Sequence, residues 1–298
     1  MDMAVSPLFR GCATALVTPF RGGEIDMDAF TALVRSQIEA DVDALVVAGT
    51  TGESPTLTDR EKARLITAAV QETASARRRV PVLAGTGSNN TARAVELSRM
   101  AEACGAAGLL VVTPYYNKAS EAGLIAHYTT IADATSLPLL VYHVPGRTGC
   151  RLTPSACRTL SAHPRIAGLK DATGDLAFTA RVSAACGSSL PIYAGNDDLT
   201  VPTLALGGVG VISVVSNLLP ARMVRLCRLW AEGKVAEATK DQLAILPLCD
   251  ALFSEVNPIP VKYAMACIGA CTEEVRLPLA VADSRVRAAV DSALRGLL

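Results

Sequence analysis

The stretch IAGLKDA, residues 166–172, is a short apolar run that ends in a lysine. A run of this length is typical of a β-strand that is buried on both faces, and such strands belong to parallel sheets. Lys170 stands at the end of this strand, where a buried ammonium must find a partner or lose its charge. An uncharged lysine is a nucleophilic amine that can form a Schiff base with a carbonyl substrate. The alternative is a structural lysine that pairs with an acid such as Asp171.

Seven other short apolar runs resemble this one, and segments of helix length separate them. We predict strands over residues 13–17, 44–48, 80–84, 109–113, 139–143, 166–170, 192–194 and 209–214. We predict helices over residues 27–40, 59–76, 91–104, 121–134, 154–162, 175–186, 198–206 and 221–232. The second helix carries a capping-box pattern, Thr58 followed three residues later by Glu61.

Eight strand–helix units indicate an α/β fold, a closed (β/α)8 or TIM barrel. The alternative is an open doubly wound sheet, which the lack of a GxGxxG motif after the first strand disfavours. We predict a catalytic barrel over residues 1–234 and a C-terminal helical extension over residues 235–298. No Gly/Ser linker separates them, so we treat both as one folding unit. The prolines of NPIP, residues 257–260, suit a helix start.

Composition restricts the class of protein. The 298 residues are half hydrophobic and carry no formal net charge, so nucleic-acid binding is unsupported. The nine cysteines form no CxxC pair, and the three histidines have no ligand spacing, so we predict neither a metal site nor a cofactor. The N-terminus lacks a signal-peptide pattern, and no apolar stretch has the length of a membrane span. We therefore expect a soluble cytoplasmic protein.

In a (β/α)8 barrel, the carboxyl ends of the strands face the active site. The segments there are GTTGES (49–54), PYYNK (114–118), YHVPGRTG (142–149), Lys170, GNDD (195–198) and GGVGVIS (207–213). The hydroxyls of Thr50 and Thr51, with backbone amides freed by glycines, can bind a carboxylate. Tyr142 tied to a threonine hydroxyl can shuttle the protons that Schiff-base formation needs. Arg147 offers a forked cation for a second charged substrate.

Each of these residues also has a structural interpretation. The threonines at 50–51 can serve as a turn and helix cap, and the tyrosines at 115–116 as packing aromatics. Tyr142 can be buried and bonded to a carbonyl, and Arg147 can form a surface salt bridge. His143 follows Tyr142 in strand period and so points to the opposite face, which favours a structural histidine. We expect the aspartates at 197–198 to cap the next helix.

Taken together, the motifs resemble one family. They are similar to the pyruvate-dependent class I aldolases and lyases grouped with N-acetylneuraminate lyase, and most of all to the dihydrodipicolinate synthase family. The stretches that carry the resemblance are GTTGE (49–53), TPYYNK (113–118), YHVPGRTG (142–149), GLKDATG (168–174) and GGVGVIS (207–213). Segments 14–20 and 257–262 are also similar, so the resemblance covers nearly the whole chain.

The resemblance implies the chemistry. Lys170 would form a Schiff base with pyruvate, and Tyr142 would be the central proton shuttle. Thr51 would link Tyr142 to Tyr116, which in this family reaches in from a neighbouring subunit. The reaction would condense pyruvate with L-aspartate-4-semialdehyde to give 4-hydroxy-tetrahydrodipicolinate, towards diaminopimelate and lysine. The family also implies a homo-oligomer, a tetramer built as a dimer of dimers.

The substrate contacts are implied in the same way. Thr50 and Thr51 would hold the pyruvate carboxylate, and Arg147 would bind the carboxylate of the semialdehyde. The backbone carbonyls of Gly195 and Ile212 would line the lysine pocket.

Two positions depart from the family pattern. His143 stands where the family often has asparagine or aspartate. Lysine-sensitive members bind lysine with histidines and a glutamate, and the matching positions here are Asp59, Lys62 and Arg93. A cation at Arg93 repels the lysine ammonium, so we expect weak or absent feedback inhibition by lysine.

Two other functions stay open on the sequence. One is another pyruvate-dependent aldolase that acts on a sugar acid or a hydroxyproline-derived keto acid. Arg147 argues against this reading, because sugar-acid members commonly lack an arginine there. The other is a barrel that binds a 2-oxo acid as a sensor without turnover, and the retained lysine, tyrosine and threonine argue against it.

Overall fold

The computed structural model describes residues 6–295, and within them eight parallel strands close into a barrel. The strands of the barrel are β1 (Gly11–Ala15), β4 (Ala44–Val47), β5 (Val82–Gly85), β6 (Gly108–Val112), β7 (Leu139–His143), β8 (Ile166–Asp171), β9 (Ile192–Ala194) and β10 (Gly210–Ser213). Hydrogen-bonded neighbours run in the order β1-β10-β9-β8-β7-β6-β5-β4, and β4 pairs with β1 to complete the ring. The predicted closed barrel is confirmed, with all eight strands in the predicted places.

A short hairpin was missing from the sequence prediction. Strands β2 (Phe20–Arg21) and β3 (Glu24–Ile25) pair antiparallel after the first barrel strand. Gly22 and Gly23 join them with φ values of 61° and 85°, which glycine adopts without a steric penalty. A Gly-Gly pair between two short strands is a recognised hairpin signal, and FRGGEI at residues 20–25 contains it.

Helices cover the outside of the barrel. They are α1 (Met27–Glu39), α2 (Asp59–Ala74), α3 (Thr91–Ala103), α4 (Glu121–Asp133), α5 (Pro145–Thr148), α6 (Pro154–Ser161), α7 (Leu176–Cys186), α8 (Thr200–Ala205), α9 (Pro220–Ala231), α10 (Val235–Leu252), α11 (Ile259–Cys267) and α12 (Ser284–Arg295). The predicted capping box is confirmed at α2. There the Thr58 hydroxyl accepts from the Glu61 amide, and the Glu61 carboxylate accepts from the Thr58 amide.

The barrel interior has its own small core, distinct from the larger core between strands and helices. Its members alternate along the strands with residues that face the helices, as the strand period of two requires. At the amino-terminal end, the ring of Phe9 stacks on Tyr193 with centroids 4.4 Å apart. The Tyr193 hydroxyl also donates to the Phe9 carbonyl at 2.9 Å. The active site of such a barrel lies at the opposite end, where the strands end.

Helices α10 to α12 follow the barrel and pack against it. The Gln242 side chain on α10 bonds to the Val201 amide and the Asp197 carbonyl. Helix α11 begins at Ile259 with a proline in its first turn, so the predicted helix start at NPIP is confirmed. The division at residue 234 stays a prediction. Residues 1–5, which bear on the signal-peptide expectation, and 296–298, which end the predicted extension, lie outside the described residues.

No helix between residues 6 and 295 is both long and apolar enough to cross a membrane.

Candidate active site

Lys170 lies at the carboxyl end of β8 and is 5% exposed. In the strand register it stands between Tyr142 on β7 and Tyr193 on β9, both of which belong to the barrel interior. Its Nζ atom lies 4.4 Å from the centroid of the Tyr142 ring. The predicted amine and the predicted proton shuttle are therefore neighbours inside the barrel.

The neighbouring acid does not neutralise this lysine. Asp171 follows in strand period and points away from the barrel interior. Its Oδ1 accepts from the Thr173 amide at 3.0 Å, and its Oδ2 accepts from the Thr179 hydroxyl at 2.7 Å. The structural alternative of a Lys170–Asp171 pair is wrong, because the alternation of a strand places the two side chains on opposite faces.

The segment GTTGE forms a tight turn after β4. The Gly49 carbonyl accepts from the amides of Gly52 and Ser54, both at 3.2 Å. A Cβ atom added to Gly52 would lie 3.1 Å from the Leu16 carbonyl, so the turn packs closely on the backbone that directly follows β1. Thr51 is buried, and its hydroxyl accepts a hydrogen bond from the Asn257 side chain at 2.9 Å. The turn thus has a structural role, and it also presents Thr50 to the cavity described next.

A cavity of about 450 Å³ opens at the carboxyl ends of the strands. This volume is in the range of small-molecule sites, which are about 300–1,000 Å³. The predicted site residues that line it are Thr50, Tyr142 and Arg147, together with Tyr115. Of the predicted strand ends, those of β4, β6 and β7 line this cavity, and the end of β5, which was not predicted, lines it as well. Its lining residues do not include Thr51, Lys170, Gly195 or Ile212.

Arg147 lies on α5, the single helical turn that follows β7. Its Nη2 atom donates to the backbone carbonyl of Asn257 at 3.0 Å. Its side-chain hydrogen bond therefore goes to a carbonyl and not to a carboxylate, which leaves the positive charge available at the cavity. The surface salt bridge considered from the sequence is not the interaction observed.

The two tyrosines of PYYNK have different environments. Tyr115 lines the cavity, whereas Tyr116 is 89% exposed. Tyr116 adopts φ = +72°, a left-handed conformation that is strained for a bulky residue. Its amide donates to the Thr148 carbonyl at 3.3 Å. Within one chain, Tyr116 projects into solvent and does not reach Thr51.

His143 is a structural residue, as its position in the strand predicted. Its Nε2 accepts from the Leu152 amide at 3.1 Å, and its ring meets Phe178 edge-on at 4.9 Å. Burial, with a smaller contribution from the charge of Arg151, lowers the pKa of His143 to about 4. The imidazole is therefore neutral at physiological pH, and it faces the helices and not the cavity.

The predicted role of the aspartates at 197–198 is wrong. Helix α8 begins without a side-chain cap, and Asp198 is exposed. The buried Asp197 instead accepts from the amides of Val214 and Val215 at 2.9 and 3.1 Å. It joins the end of β9 to the turn after β10. Desolvation by burial raises the pKa of this carboxyl.

Gly195 and Ile212 belong to the next two strands around the ring from β8, which are β9 with the residue after it and β10. Gly195 directly follows β9, and its amide donates to the Asp171 carbonyl at 2.7 Å. A Cβ atom at this position would approach Ala172 to 2.6 Å, so only glycine fits. Ile212 lies on β10 within the barrel-interior core. Their predicted role as carbonyls that line the lysine pocket stays a prediction.

The sequence analysis did not identify a buried ion pair behind the GTTGE turn. Glu53 Oε1 lies 2.8 Å from Nζ of Lys262, which is fully buried, and Glu53 Oε2 accepts from the Arg276 amide at 3.0 Å. Lys262 also donates to the Thr18 carbonyl at 2.9 Å. Glu53 and Lys262 are 209 residues apart, so no local pattern connects them. The role of Asn257 was likewise not predicted.

Residues 6–295 contain no group of three or more His, Cys, Asp or Glu side chains placed to hold a metal ion. The expectation of a metal-free, cofactor-free site stays a prediction.

Comparisons with known proteins show the family and the fold of this chain. The family model of the dihydrodipicolinate synthetase family matches residues 8–297. A 4-hydroxy-tetrahydrodipicolinate synthase from Citrifermentans bemidjiense is 45% identical over 273 residues, which cover 92% of this chain and 93% of that protein. The crystal structure of dihydrodipicolinate synthase from Thermotoga maritima is 41% identical, with a TM-score of 0.94 over 98% of this chain and all of the other.

A structure of the enzyme from Cyanidioschyzon merolae, with lysine bound, is 36% identical, with a TM-score of 0.94 over 98% of this chain and 99% of that one. The match runs through the whole barrel, all five motifs and the C-terminal helices. The chain therefore belongs to the dihydrodipicolinate synthetase family.

Proposed function

We propose that this chain is a lyase that condenses pyruvate with L-aspartate-4-semialdehyde to give 4-hydroxy-tetrahydrodipicolinate, in diaminopimelate and lysine biosynthesis. The observation that carries the proposal is the buried Lys170 amine against the Tyr142 ring, with its neighbouring acid engaged elsewhere. Family membership and the names of the relatives support the same reaction. The nine cysteines are all free, which fits a cytoplasmic location.

The chemistry begins at Lys170. Its uncharged amine attacks the ketone carbon of pyruvate, and a carbinolamine forms once the oxygen gains a proton. Loss of water then gives the protonated Schiff base, and loss of a methyl proton gives an enamine. The enamine carbon attacks the aldehyde of the second substrate, and the aldehyde oxygen takes up a proton. The amino group of the semialdehyde then attacks the regenerated Schiff-base carbon, which closes the ring and expels the Lys170 amine. Each step moves a proton near the amine, and Tyr142 is the ionisable side chain beside it.

The two substrate carboxylates are held by different elements. Thr50, with the amides of its turn, would bind pyruvate, and Arg147 would bind the semialdehyde. Thr51 would relay protons between Tyr142 and a second phenol. Because Tyr116 is exposed on its own chain, we propose that it reaches the Thr51 of a second copy. The active enzyme would then be at least a dimer, and we propose a tetramer built as a dimer of dimers.

Reduction with borohydride in the presence of pyruvate tests the proposal. The expected result is one reduced pyruvate adduct per chain, which peptide mapping places on Lys170. Turnover is then measured with pyruvate and the semialdehyde. An adduct without turnover would favour the 2-oxo acid sensor, and turnover with a sugar-acid aldehyde alone would favour another aldolase. An adduct on another lysine would refute the proposed mechanism.

Arg147→Met is expected to raise the KM for the semialdehyde by at least about tenfold, because a charge-assisted bond to a carboxylate contributes about 1.5–3 kcal/mol. The KM for pyruvate should stay near that of the wild type, since Thr50 binds that carboxylate. Steady-state kinetics with each substrate varied in turn measures both values. Arg151→Met, an exposed arginine four residues along the chain, is the control. Equal increases in both KM values would contradict the assignment.

Free lysine is expected to inhibit weakly or not at all. The cavity extends to Lys62 and Arg93, and Arg93 already pairs with Asp59 and Glu96. The carboxylates of Asp59 and Glu96 are therefore already engaged by Arg93, and Lys62 meets a lysine ammonium with like charge. Initial rates with added lysine test this prediction, and half-maximal inhibition at sub-millimolar lysine would contradict it.

A further inference from the structure

One side chain from the C-terminal helical segment contacts both proposed substrate-binding elements. Asn257 directly precedes the proline that starts the α11 turn and is 6% exposed. Its Nδ2 donates to the Thr51 hydroxyl at 2.9 Å, while its backbone carbonyl accepts from Arg147 Nη2 at 3.0 Å. The two contacts use different atoms, so a side-chain substitution can remove the first and keep the second.

The contact with Asn257 restricts what the Thr51 hydroxyl can do. A threonine hydroxyl has one proton to donate and two lone pairs that accept. The Asn257 amide occupies one lone pair and keeps its own proton, because an amide N–H is not an acid at physiological pH. Thr51 is left with one proton and one lone pair. To relay a proton between two phenols, Thr51 needs one proton to donate and one lone pair to accept, and these are what it has left.

The orientation of the amide matters to this argument. With Nδ2 towards Thr51, Oδ1 is the buried atom without a hydrogen-bond partner. In the reversed orientation, Oδ1 would accept the Thr51 proton, and the NH2 group would stand where Oδ1 now has no partner, so its two N–H donors would both be unpaired. Unpaired buried donors are costly. The observed orientation also leaves the Thr51 proton free.

We infer that Asn257 is a positioning residue that directs the Thr51 hydroxyl, so that its proton is exchanged only between Tyr142 and the second phenol of the relay. This inference rests on the proposed function. In one transfer, the second phenol gives its proton to Thr51 while Thr51 gives its own to the Tyr142 phenolate. The charge moves to the second phenol, and the Asn257 hydrogen bond is the same before and after.

Two substitutions of similar shape separate this role from packing. Asn257→Asp replaces the donor by an acceptor, so Thr51 donates its proton to the new carboxylate and leaves the relay. Asn257→Leu removes the donor and leaves Thr51 free to rotate.

At saturating pyruvate, we expect kcat to fall by at least about tenfold in Asn257→Asp and by less in Asn257→Leu, since positioned proton transfer contributes about 10²–10⁴ in rate. The KM for the semialdehyde should not change, because the backbone carbonyl still holds Arg147.

A double-mutant cycle with Thr51→Val gives the decisive readout. Because the valine has no hydroxyl, Asn257→Asp should cause little further loss of kcat in that background. A packing role would instead give losses that multiply. Glu255→Gln changes the charge by one unit two residues away and serves as the control, with unfolding midpoints recorded for every variant.

The outcomes are distinguishable. Wild-type kcat in Asn257→Asp would overturn the inference, as would equal loss in both substitutions with a raised KM for the semialdehyde. If the wild-type enzyme forms no pyruvate adduct, the proposed function fails and this inference fails with it. A wild-type enzyme that turns over, with kcat loss in Asn257→Asp that disappears in Thr51→Val, supports both.

Discussion

Lys170→Met is expected to abolish turnover and the borohydride-trapped pyruvate adduct together. Methionine fills a similar volume but has no amine, so no covalent intermediate forms. We expect kcat to fall by about 10³-fold or more, which corresponds to about 4 kcal/mol of lost transition-state stabilisation. Lys170→Arg should fail equally, because a guanidinium keeps its proton and cannot act as the nucleophile. Assays of turnover and intact mass measure both effects.

The fold should survive this substitution. Lys170 is buried and the Asp171 carboxylate is bonded to the Thr173 amide and the Thr179 hydroxyl, so methionine at position 170 leaves both partners of Asp171 in place. The unfolding midpoint should therefore stay at or above that of the wild type. Lys240→Met, at an exposed position on α10, controls for the loss of a lysine. Retained turnover in Lys170→Met would remove the Schiff base from the mechanism.

Lys262→Met is expected to destabilise the protein by about 3–5 kcal/mol, because it leaves the Glu53 carboxylate buried without its counter-charge. Both members of the pair are fully or almost fully buried. The double substitution Glu53→Gln with Lys262→Met should recover part of this loss, since no unpaired charge remains. Denaturant unfolding of the three variants measures the effect.

An exposed ion pair provides the matched control. Lys234 and Glu232 lie 2.7 Å apart, with about half of each side chain exposed to solvent. Lys234→Met should leave the free energy of unfolding nearly unchanged, because water screens such pairs. If Lys262→Met were as mild as this control, the Glu53–Lys262 pair would not be what holds the GTTGE turn in place.

The barrel could be predicted from the sequence because its strands are buried on both faces, and near-continuous apolar runs mark them. Strand alternation also correctly placed His143 outside the site. The expected helix-capping role of Asp197 was wrong, because its partners, the amides of Val214 and Val215, follow the next strand. Helix-capping rules consider only hydrogen-bond partners a few residues away. Neighbouring parallel strands, by contrast, bring together groups that are distant in the sequence.

In the candidate site, too, some residues could be predicted from the sequence and some contacts could not. Thr50, Tyr142 and Arg147 could be placed at the cavity because each stands at a strand end, and the family motifs named their roles. Three of the contacts that hold the GTTGE turn could not be predicted. They come from Asn257, Lys262 and Arg276, each more than 200 residues further along the chain, and no periodicity or spacing connects such positions.

These long-range contacts also set an order of events during synthesis. The turn that would receive pyruvate is made early, near residue 50, but the side chains that fix Thr51 and Glu53 lie beyond residue 256. A nascent chain that has completed all eight strands already contains Thr18, whose hydroxyl donates to the Gly52 carbonyl at 2.7 Å, but it still lacks both of these late side chains. The GTTGE turn can therefore gain its contacts with Asn257 and Lys262 only near the end of translation, after the residues of all eight strands have been made.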